Sequence, residues 1–357
     1  MKKFILILSL FAITIASVCA KEINYQKDLA TAIDAGNTDV AENCIKNGAN
    51  VNPEGECLLC YAIINRQPQM AELLLKYGAN PDGTSKLWRP LFFALDDDNN
   101  YVLDKLLEYK ANPNAESYIP FLLQAVDNNN AYAVKRLLES GADETKTFMK
   151  MTPFEIAFGR KKMDVVDAFI DYQNSKFDTP ATDINKSIEL LNTIESGKIY
   201  YQKIKGANCY GKPMVVKYAN ISNFGYDSTK AFAITFVINK QLYIYIDNRF
   251  RKEPPEIIAL IAAGESIHTD KKSSRVEALC ELGIETTLYR DFLTKNPSLA
   301  EDKESLTIQK NFNKLNKLLE DASWNYNVLW LFYGIFDKSL PETSAGYKNK
   351  DLNSYFQ

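Results

Sequence analysis

A repeat of about 31 residues occupies the first half of the chain and constrains its fold more than any other feature. Alanine recurs at one position of this repeat, and leucine or isoleucine recurs at a second position. The alanines are Ala32, Ala62, Ala94, Ala125 and Ala157, and the larger residues are Ile45, Leu75, Leu107, Leu138 and Ile170. Such a period predicts units that stack, because one unit alone cannot bury its hydrophobic face.

A third position closes most of the units with a short motif. It reads Gly48-Ala49-Asn50, Gly78-Ala79-Asn80, Lys110-Ala111-Asn112 and Gly141-Ala142-Asp143. Two units begin with Arg89-Pro90-Leu91 and Thr152-Pro153-Phe154. These motifs resemble the ankyrin repeat, whose units begin T-P-L-H-x-A and end L-L-x-x-G-A-D. The resemblance covers residues 26–175 and implies about five repeats, each with two helices, stacked into a solenoid.

Two departures from the ankyrin pattern affect stability rather than fold. A glycine after the second helix adopts the left-handed conformation that ends it, and Lys110 replaces this glycine in one unit. We expect that helix to end less tightly. The histidine of T-P-L-H is also absent, and the residues at its position are Cys60, Phe92, Leu123 and Glu155. We expect some loss of stability from the missing local hydrogen bond.

The resemblance implies that the solenoid binds a protein partner on its concave face. The aromatic residues in or near loops and helix starts are Trp88, Tyr101, Tyr118 and Tyr132. Binding surfaces and buried cores both use aromatic residues, so the sequence does not decide which role these four have. A stack that acts only as a spacer, or that packs only against the second domain, is the alternative.

The second half of the chain contains an incomplete metal-binding motif. Residues 254–268 read PPEIIALIAAGESIH, an apolar helix that ends in Gly264, Glu265 and, after two residues, His268. In the motif H-E-x-x-H, two histidines on one helix face bind Zn²⁺ and the glutamate acts as general base. Gly264 occupies the first ligand position here, and His268 is the only histidine of the chain.

Neighbouring residues extend the match to this motif. Glu277 lies on the following helix, where gluzincin peptidases place their third ligand, and residues 241–247 resemble the strand that leads into the active-site helix. The chain from about 185 to 320 therefore resembles a bacterial zinc-metallopeptidase-like (zincin-type) domain. The resemblance implies that Glu265 occupies the general-base position and that His268 and Glu277 occupy two of three ligand positions.

The missing first ligand decides which chemistry we expect. A zinc peptidase needs three protein ligands and a water, with the glutamate close to that water. Gly264 leaves one imidazole and one carboxylate, which would hold Zn²⁺ weakly and would not fix a water beside Glu265. We expect a non-catalytic domain without a cofactor. One alternative is an active metallopeptidase with an unusual zinc ligand set; another is a salt-bridged group of Glu265, His268 and Glu277 that joins two helices.

A polar segment at 176–183 separates the two halves and ends in the helix-capping residue Asp183. The elements predicted after it are a helix at 184–196, strands at 214–218, 231–238 and 241–247, and helices at 256–267, 275–293, 303–321 and 322–336. The expected fold class is mainly α. An ankyrin-repeat solenoid at 26–175 precedes an α+β zincin-like domain at 184–337 and a tail at 338–357.

Residues 1–20 form a separate segment. Lys2 and Lys3 precede an apolar run and small residues that end at Ala20. This pattern is typical of a Sec signal peptide cleaved after Ala20, so we expect a secreted or periplasmic protein. A lipoprotein attached through Cys19 is the alternative. We expect no stable membrane insertion after cleavage, because the longest later apolar run, at 328–336, is too short to span a bilayer.

Composition argues against nucleic acid as a partner and leaves the cysteines open. The net charge of −3 provides no general attraction to nucleic acid. The cysteines are odd in number after cleavage and scattered in spacing, which is not the pattern of a disulfide framework. Cys57 and Cys60 form C-x-x-C, but both fall inside a repeat, and no second pair completes a metal site. Whether Cys44, Cys57 and Cys60 form a disulfide stays open.

Overall fold

The computed structural model describes residues 24–96, 99–206, 210–226, 231–267, 275–301 and 313; in the helix that begins at 275, it describes side chains from 283 onward. The chain divides into two compact units between Tyr172 and Gln173. The predicted signal peptide, the helices predicted at 303–321 (apart from Asn313) and 322–336, and the predicted tail lie outside the described residues. No helix of the described residues is long and apolar enough to cross a membrane.

The first unit consists of stacked helix pairs, as the repeat predicts. Its helices are α1 (Tyr25–Asp34), α2 (Thr38–Lys46), α3 (Leu58–Ile64), α4 (Pro68–Lys76), α5 (Pro90–Phe93), α6 (Asn100–Glu108), α7 (Phe121–Asp127), α8 (Ala131–Glu139), α9 (Pro153–Gly159) and α10 (Met163–Ser175). We number the repeats one to five by these pairs. The odd-numbered helices pack on one another from repeat to repeat, and so do α2, α4, α6 and α8.

The repeated apolar residues form the core of this stack. Each repeated alanine lies on or directly after the first helix of its repeat and is at most 3% exposed. The repeated leucines and Ile170 are also buried, whereas Ile45 in the first repeat is half-buried. Since burial of apolar surface contributes about 25 cal/mol per Å², the interfaces between neighbouring repeats supply much of the stability of the unit.

The second helices of repeats one to four end with the same geometry, including the one at Lys110. The φ angles are 97° at Gly48, 87° at Gly78, 67° at Lys110 and 90° at Gly141. The Lys110 N–H donates to Leu107 O at 3.1 Å, and the equivalent bond at Gly78 measures 3.0 Å. The expected loosening is therefore not seen in the hydrogen bonds. Lysine instead bears the steric cost of a left-handed backbone.

Asparagine side chains join the loops of neighbouring repeats, a role that the repeat pattern did not reveal. Asn52 Nδ2 donates to Gly78 O at 2.8 Å, and Asn52 Oδ1 accepts the N–H of Asn80 at 2.7 Å. The same pair of bonds recurs at Asn114, Gly141 and Asp143. A side-chain amide can donate and accept at once, so one residue satisfies two backbone groups of the next repeat.

In repeats two and five, the first helix begins with two side chains that interact with each other, by a disulfide in one case and by hydrogen bonds in the other. Thr152 and Glu155 form a capping box at α9, in which each side chain accepts a hydrogen bond from the backbone N–H of the other residue. Cys57 and Cys60 stand at the equivalent positions of α3 and form a disulfide. Cys44 is a free and buried thiol. The pairing that the sequence left open is thus between Cys57 and Cys60.

The second unit combines helices with a small sheet. Its elements are α11 (Ile184–Leu191), α12 (Lys198–Lys205), β1 (Val215–Ala219), β2 (Ala233–Ile238), β3 (Gln241–Asp247), α13 (Pro255–Glu265) and α14 (Arg275–Lys295). The helix predicted at 184–196 ends earlier, at Leu191, and α12 follows as a separate helix. Gly197 lies between them, and a Cβ at this position would lie 2.3 Å from Leu191 O. The close backbone approach therefore requires glycine.

The sheet has the strand order β1-β3-β2. β2 and β3 are antiparallel and form the predicted hairpin, with a turn at Asn239 and Lys240, whose φ angles are 51° and 59°. Two positive φ angles are typical of the tight turn that matches the twist of a hairpin. β1 pairs with β3 in parallel, so the sheet is mixed.

Helix α13 is the centre of the second core. Its apolar residues Ile257, Ile258, Leu260 and Ile261 are at most 1% exposed. The helix packs against α11, α14, β2 and β3. A helix that is apolar on every side becomes buried on every side. Glu265 ends this helix, so the fold brings a carboxylate into a mostly apolar core.

The polar segment at 176–183 belongs to the second unit and packs on the rest of it. Thr182 N–H donates to Arg251 O at 2.8 Å, and Thr182 Oγ1 donates to Glu253 O at 2.7 Å. The Arg251 guanidinium lies 4.0 Å from the centroid of the Phe177 ring, and burial lowers the pKa of Arg251. The segment therefore covers a buried cation of the second unit.

Replacing Lys110 by glycine should raise the free energy of unfolding by about 1 kcal/mol, because glycine adopts a positive φ without steric cost. Chemical denaturation of the full chain measures this change. Gly78→Ala is the matched control, since an added Cβ there meets no atom within 4 Å. The control should lower stability through the backbone alone. A Lys110→Gly protein no more stable than the parent would contradict the prediction.

Candidate functional site

Exposed apolar side chains occur on both helices of the repeats, and Val40 and Tyr101 are examples on second helices. Six others lie on the first helices or in the loops that precede them. They are Tyr61, Leu87, Phe92, Tyr118, Met149 and Met151, each 36% to 78% exposed. We call these six residues the finger surface. They come from repeats two to five, and equivalent positions of stacked repeats lie on the same side of a solenoid. The stack thus presents a row of apolar side chains.

Contacts between repeats connect the middle of the finger surface. The ring centroid of Trp88 lies 5.5 Å from that of Tyr61 and 5.9 Å from that of Phe93. Lys86 forms an ion pair with Glu116, which links the loop before α5 to the loop before α7. The hydrogen bond from Lys86 lowers the pKa of the Glu116 carboxyl. Repeats two, three and four therefore share one surface.

Two of the four aromatic residues singled out in the sequence have an internal role instead. Tyr132 on α8 donates a hydrogen bond to Asp104 of the preceding repeat, and Tyr101 on α6 donates to Glu72. A similar bond joins Tyr77 and Glu42 at 2.7 Å. These bonds lower the pKa of the Glu42 and Glu72 carboxyls. The tyrosines of the second helices thus link neighbouring repeats. Trp88 and Tyr118 lie in the loops before α5 and α7.

The second candidate site is the end of α13, where Glu265 is only 8% exposed. Thr235 on β2 lies beside it, and its hydroxyl donates to Glu265 Oε2 at 2.7 Å. The same hydroxyl lies 3.2 Å from the Glu265 backbone oxygen. Burial of a carboxylate is costly unless hydrogen bonds offset the lost hydration. Thr235 supplies one such bond and could not be identified from the motif, because it comes from a distant strand.

The other predicted site residues are described in part or not at all. His268 lies outside the described residues, and of Glu277 only the backbone, within α14, is described. Helices α13 and α14 pack against each other, which places the Glu277 backbone on a helix next to that of Glu265. Among the described side chains, no group of three His, Cys, Asp or Glu residues could hold a metal ion.

The described part of this site contains the side chain of one predicted site residue, Glu265. Gly264 offers no side-chain donor at the first ligand position, and the carboxylate of Glu265 accepts a hydrogen bond from Thr235. Other buried polar residues of the second unit include Ser266, which directly follows α13, and Glu285 and Thr286 on α14. Ser266 Oγ donates to Ala263 O at 2.7 Å, which caps the helix end locally.

Comparison with known proteins bears on the first unit. The family described as "Ankyrin repeats (3 copies)" matches residues 29–117, which cover α2 to α6 and the greater part of α1. A search of curated proteins finds no match to the chain.

Replacing Thr235 by valine should lower the free energy of unfolding by about 1–3 kcal/mol, because a buried carboxylate loses a hydrogen bond at constant side-chain volume. Urea denaturation of the full chain measures the change. Thr235→Ser keeps the hydroxyl and is the matched control. The serine variant loses only the methyl group and measures the contribution of packing. A valine variant as stable as the parent would contradict the prediction.

Helix pairing, the repeated core positions and the family match all agree for the same part of the chain. Such repeats generally mediate protein–protein interaction. Residues 29–117 are ankyrin repeats.

Proposed function

We propose that the first unit binds a protein partner through the finger surface. Tyr101 and Tyr132 on the second helices are exposed, but their hydroxyls are hydrogen-bonded within the stack, whereas Leu87, Met149 and Met151 of the finger surface are exposed apolar side chains. This difference supports the proposal. Exposed apolar side chains in a contiguous row are typical of protein interaction sites. A protein-binding role for ankyrin repeats supports the same reading.

The chemistry of the finger surface suits an apolar segment of the partner. Large side chains such as Tyr118 and Met149 offer contact area, and methionine adapts its shape to different partners. Lys146 and Lys150 are exposed in the loop before α9 and add positive charge at that end of the apolar row, whereas the charge of Lys86 is paired with Glu116. A partner segment that combines apolar and acidic side chains fits this surface, because opposite charge speeds association and selects orientation.

Leu87→Ser combined with Tyr118→Ser should abolish capture of the partner from periplasmic extract or culture medium, because both substitutions remove apolar contact area. The full chain serves as bait, and mass spectrometry identifies what is retained. Tyr109→Ser is the matched control, because Tyr109 is exposed directly after the second helix α6. If the finger variant still captures the same protein, or if the control loses it equally, the finger surface is not the binding site.

For the second unit we propose a non-catalytic, zincin-like domain whose motif is a remnant. Support comes from Gly264 in place of the first ligand and from the bond between Thr235 and Glu265. Under this proposal Glu265, His268 and Glu277 have lost their catalytic and metal-binding roles. The second candidate is an active metallopeptidase with a non-standard ligand set, which the sequence motif E-x-x-H favours.

Metal analysis separates these two candidates. The purified protein should contain no stoichiometric zinc, whereas Gly264→His should gain zinc, because an imidazole one turn before His268 restores the missing ligand. The control is the double variant Gly264→His with His268→Ala, which should lose the gain, and circular dichroism checks that each variant is folded. Stoichiometric zinc in the unchanged protein, lost in His268→Ala, would support the active enzyme.

We further propose that the protein is exported. The basic residues, the apolar run and the small residues that end at Ala20 support a signal peptide, so the mature protein would begin at Lys21 and act in the periplasm or outside the cell. Anchoring through Cys19 remains the second candidate. An oxidising compartment is compatible with the disulfide between Cys57 and Cys60.

A further inference from the structure

The disulfide of the second repeat joins two buried residues of one helix start. Cys57 precedes α3 and is 5% exposed, and Cys60 lies in its first turn and is fully buried. The Cys60 N–H also lies 3.1 Å from Cys57 Sγ. The bond therefore joins the residue before the helix to its first turn and fixes the helix start covalently. It does not connect separate elements of the fold.

The same two positions carry other residues in the remaining repeats. Thr152 and Glu155 form a non-covalent capping box there in repeat five. In repeats three and four, the residue before the first helix makes no side-chain capping bond. These helices form without a covalent link. A covalent bond at this position is therefore not a general requirement of the repeat.

Helix α3 carries part of the finger surface. Its buried residues include Leu58, Leu59 and Ile63, and on its outer side Tyr61 and Ile64 are exposed. Tyr61 also contacts Trp88 of the next repeat. The helix has seven residues, and helices this short depend on tertiary contacts and on restraint of their ends. A well-formed first turn of α3 is therefore needed to hold Tyr61 in its position on the finger surface.

Both sulfurs are buried, so exchange requires local opening next to the exposed loop that precedes them. Asn52, Glu54, Gly55 and Glu56 are exposed and lie within six residues of Cys57. Opening of the first turn of α3 would expose both sulfurs without separating the repeats. Cys44 in the first repeat is also buried, and burial raises the pKa of its thiol. A thiol with a raised pKa attacks disulfides slowly, so Cys44 is a poor competitor for exchange.

We propose that Cys57 and Cys60 are a site of reversible thiol–disulfide exchange, and that oxidation of this pair orders α3 and the part of the finger surface it carries. On oxidation, both thiols lose a proton and the pair loses two electrons to a disulfide oxidant, which leaves as two thiols. On reduction, a dithiol such as dithiothreitol opens the Cys57–Cys60 bond through a mixed disulfide and leaves as its own cyclic disulfide.

The short separation of the two cysteines distinguishes such a site from a scaffold disulfide. A disulfide stabilises mainly by restricting the unfolded chain, and the effect grows with the length of the closed loop. Only two residues lie between Cys57 and Cys60. Reduction should therefore loosen α3 locally and leave the rest of the stack folded. The proposed effect on partner binding rests on the finger surface being the binding site; the effect on α3 does not.

Hydrogen exchange and alkylation of the full chain test the proposal. In protein kept under oxidising conditions, the peptide that contains residues 57–60 should resist alkylation after denaturation and lack two hydrogens. After treatment with dithiothreitol, both cysteines should be alkylated. Amides of residues 60–64 should then exchange about tenfold faster, while those of α7 keep their rate, because opening is local.

Two variants serve as matched controls. Cys44→Ala removes the other buried thiol and should respond to dithiothreitol as the parent does. Cys57→Ala with Cys60→Ala, which adds no N-cap side chain, should exchange like the reduced parent and should not respond. Unchanged exchange in α3 after complete reduction would overturn the proposal, and so would loss of protection throughout the first unit, which is expected for a scaffold disulfide. Free thiols at both positions in oxidised protein would also overturn it. None of these readouts requires the partner.

Discussion

Burial of apolar side chains between neighbouring repeats is the interaction on which the first unit depends. A single pair such as α3 and α4 has two apolar faces and can cover only one by itself. The repeated alanines and leucines are buried because the next pair covers the second face. Polar bonds from Asn52 and from Tyr101 then fix each repeat on its neighbour, so stability is transmitted from pair to pair along the stack.

This construction separates the surface of the first unit into two parts. On the second helices, tyrosines such as Tyr101 and Tyr132 donate hydrogen bonds from their hydroxyls to carboxylates of the preceding repeat, and ion pairs such as Arg136–Asp104 lie beside them. On the first helices and their loops, Tyr118 and Met149 are exposed. A surface whose polar groups are already hydrogen-bonded within the protein gains little binding free energy from a partner. Burial of exposed apolar surface against a partner, in contrast, contributes favourable free energy. The proposed binding site follows from that difference.

In the second unit, one helix determines both the core and the candidate site. The apolar composition of α13 buries it among α11, α14 and the sheet, and this burial brings Glu265 to the hydroxyl of Thr235. The sequence correctly located the hairpin, α13 and the start of α14, because strong apolar patterning and turn residues are local signals. It misplaced the end of α11 and missed α12, since the end at Leu191 depends on close backbone packing near Gly197.

The sequence alone determined the repeat, its period and the buried positions, because stacking imposes the same small and apolar residues on every unit. It also located the motif around Glu265, since spacing on a helix is a local property. Only the tertiary structure decided how side chains pair across distance: Cys57 with Cys60 rather than Cys44, Tyr101 with Glu72, and Thr235 with Glu265. Such pairings depend on which side chains the fold brings within bonding distance, and a linear pattern does not contain that information.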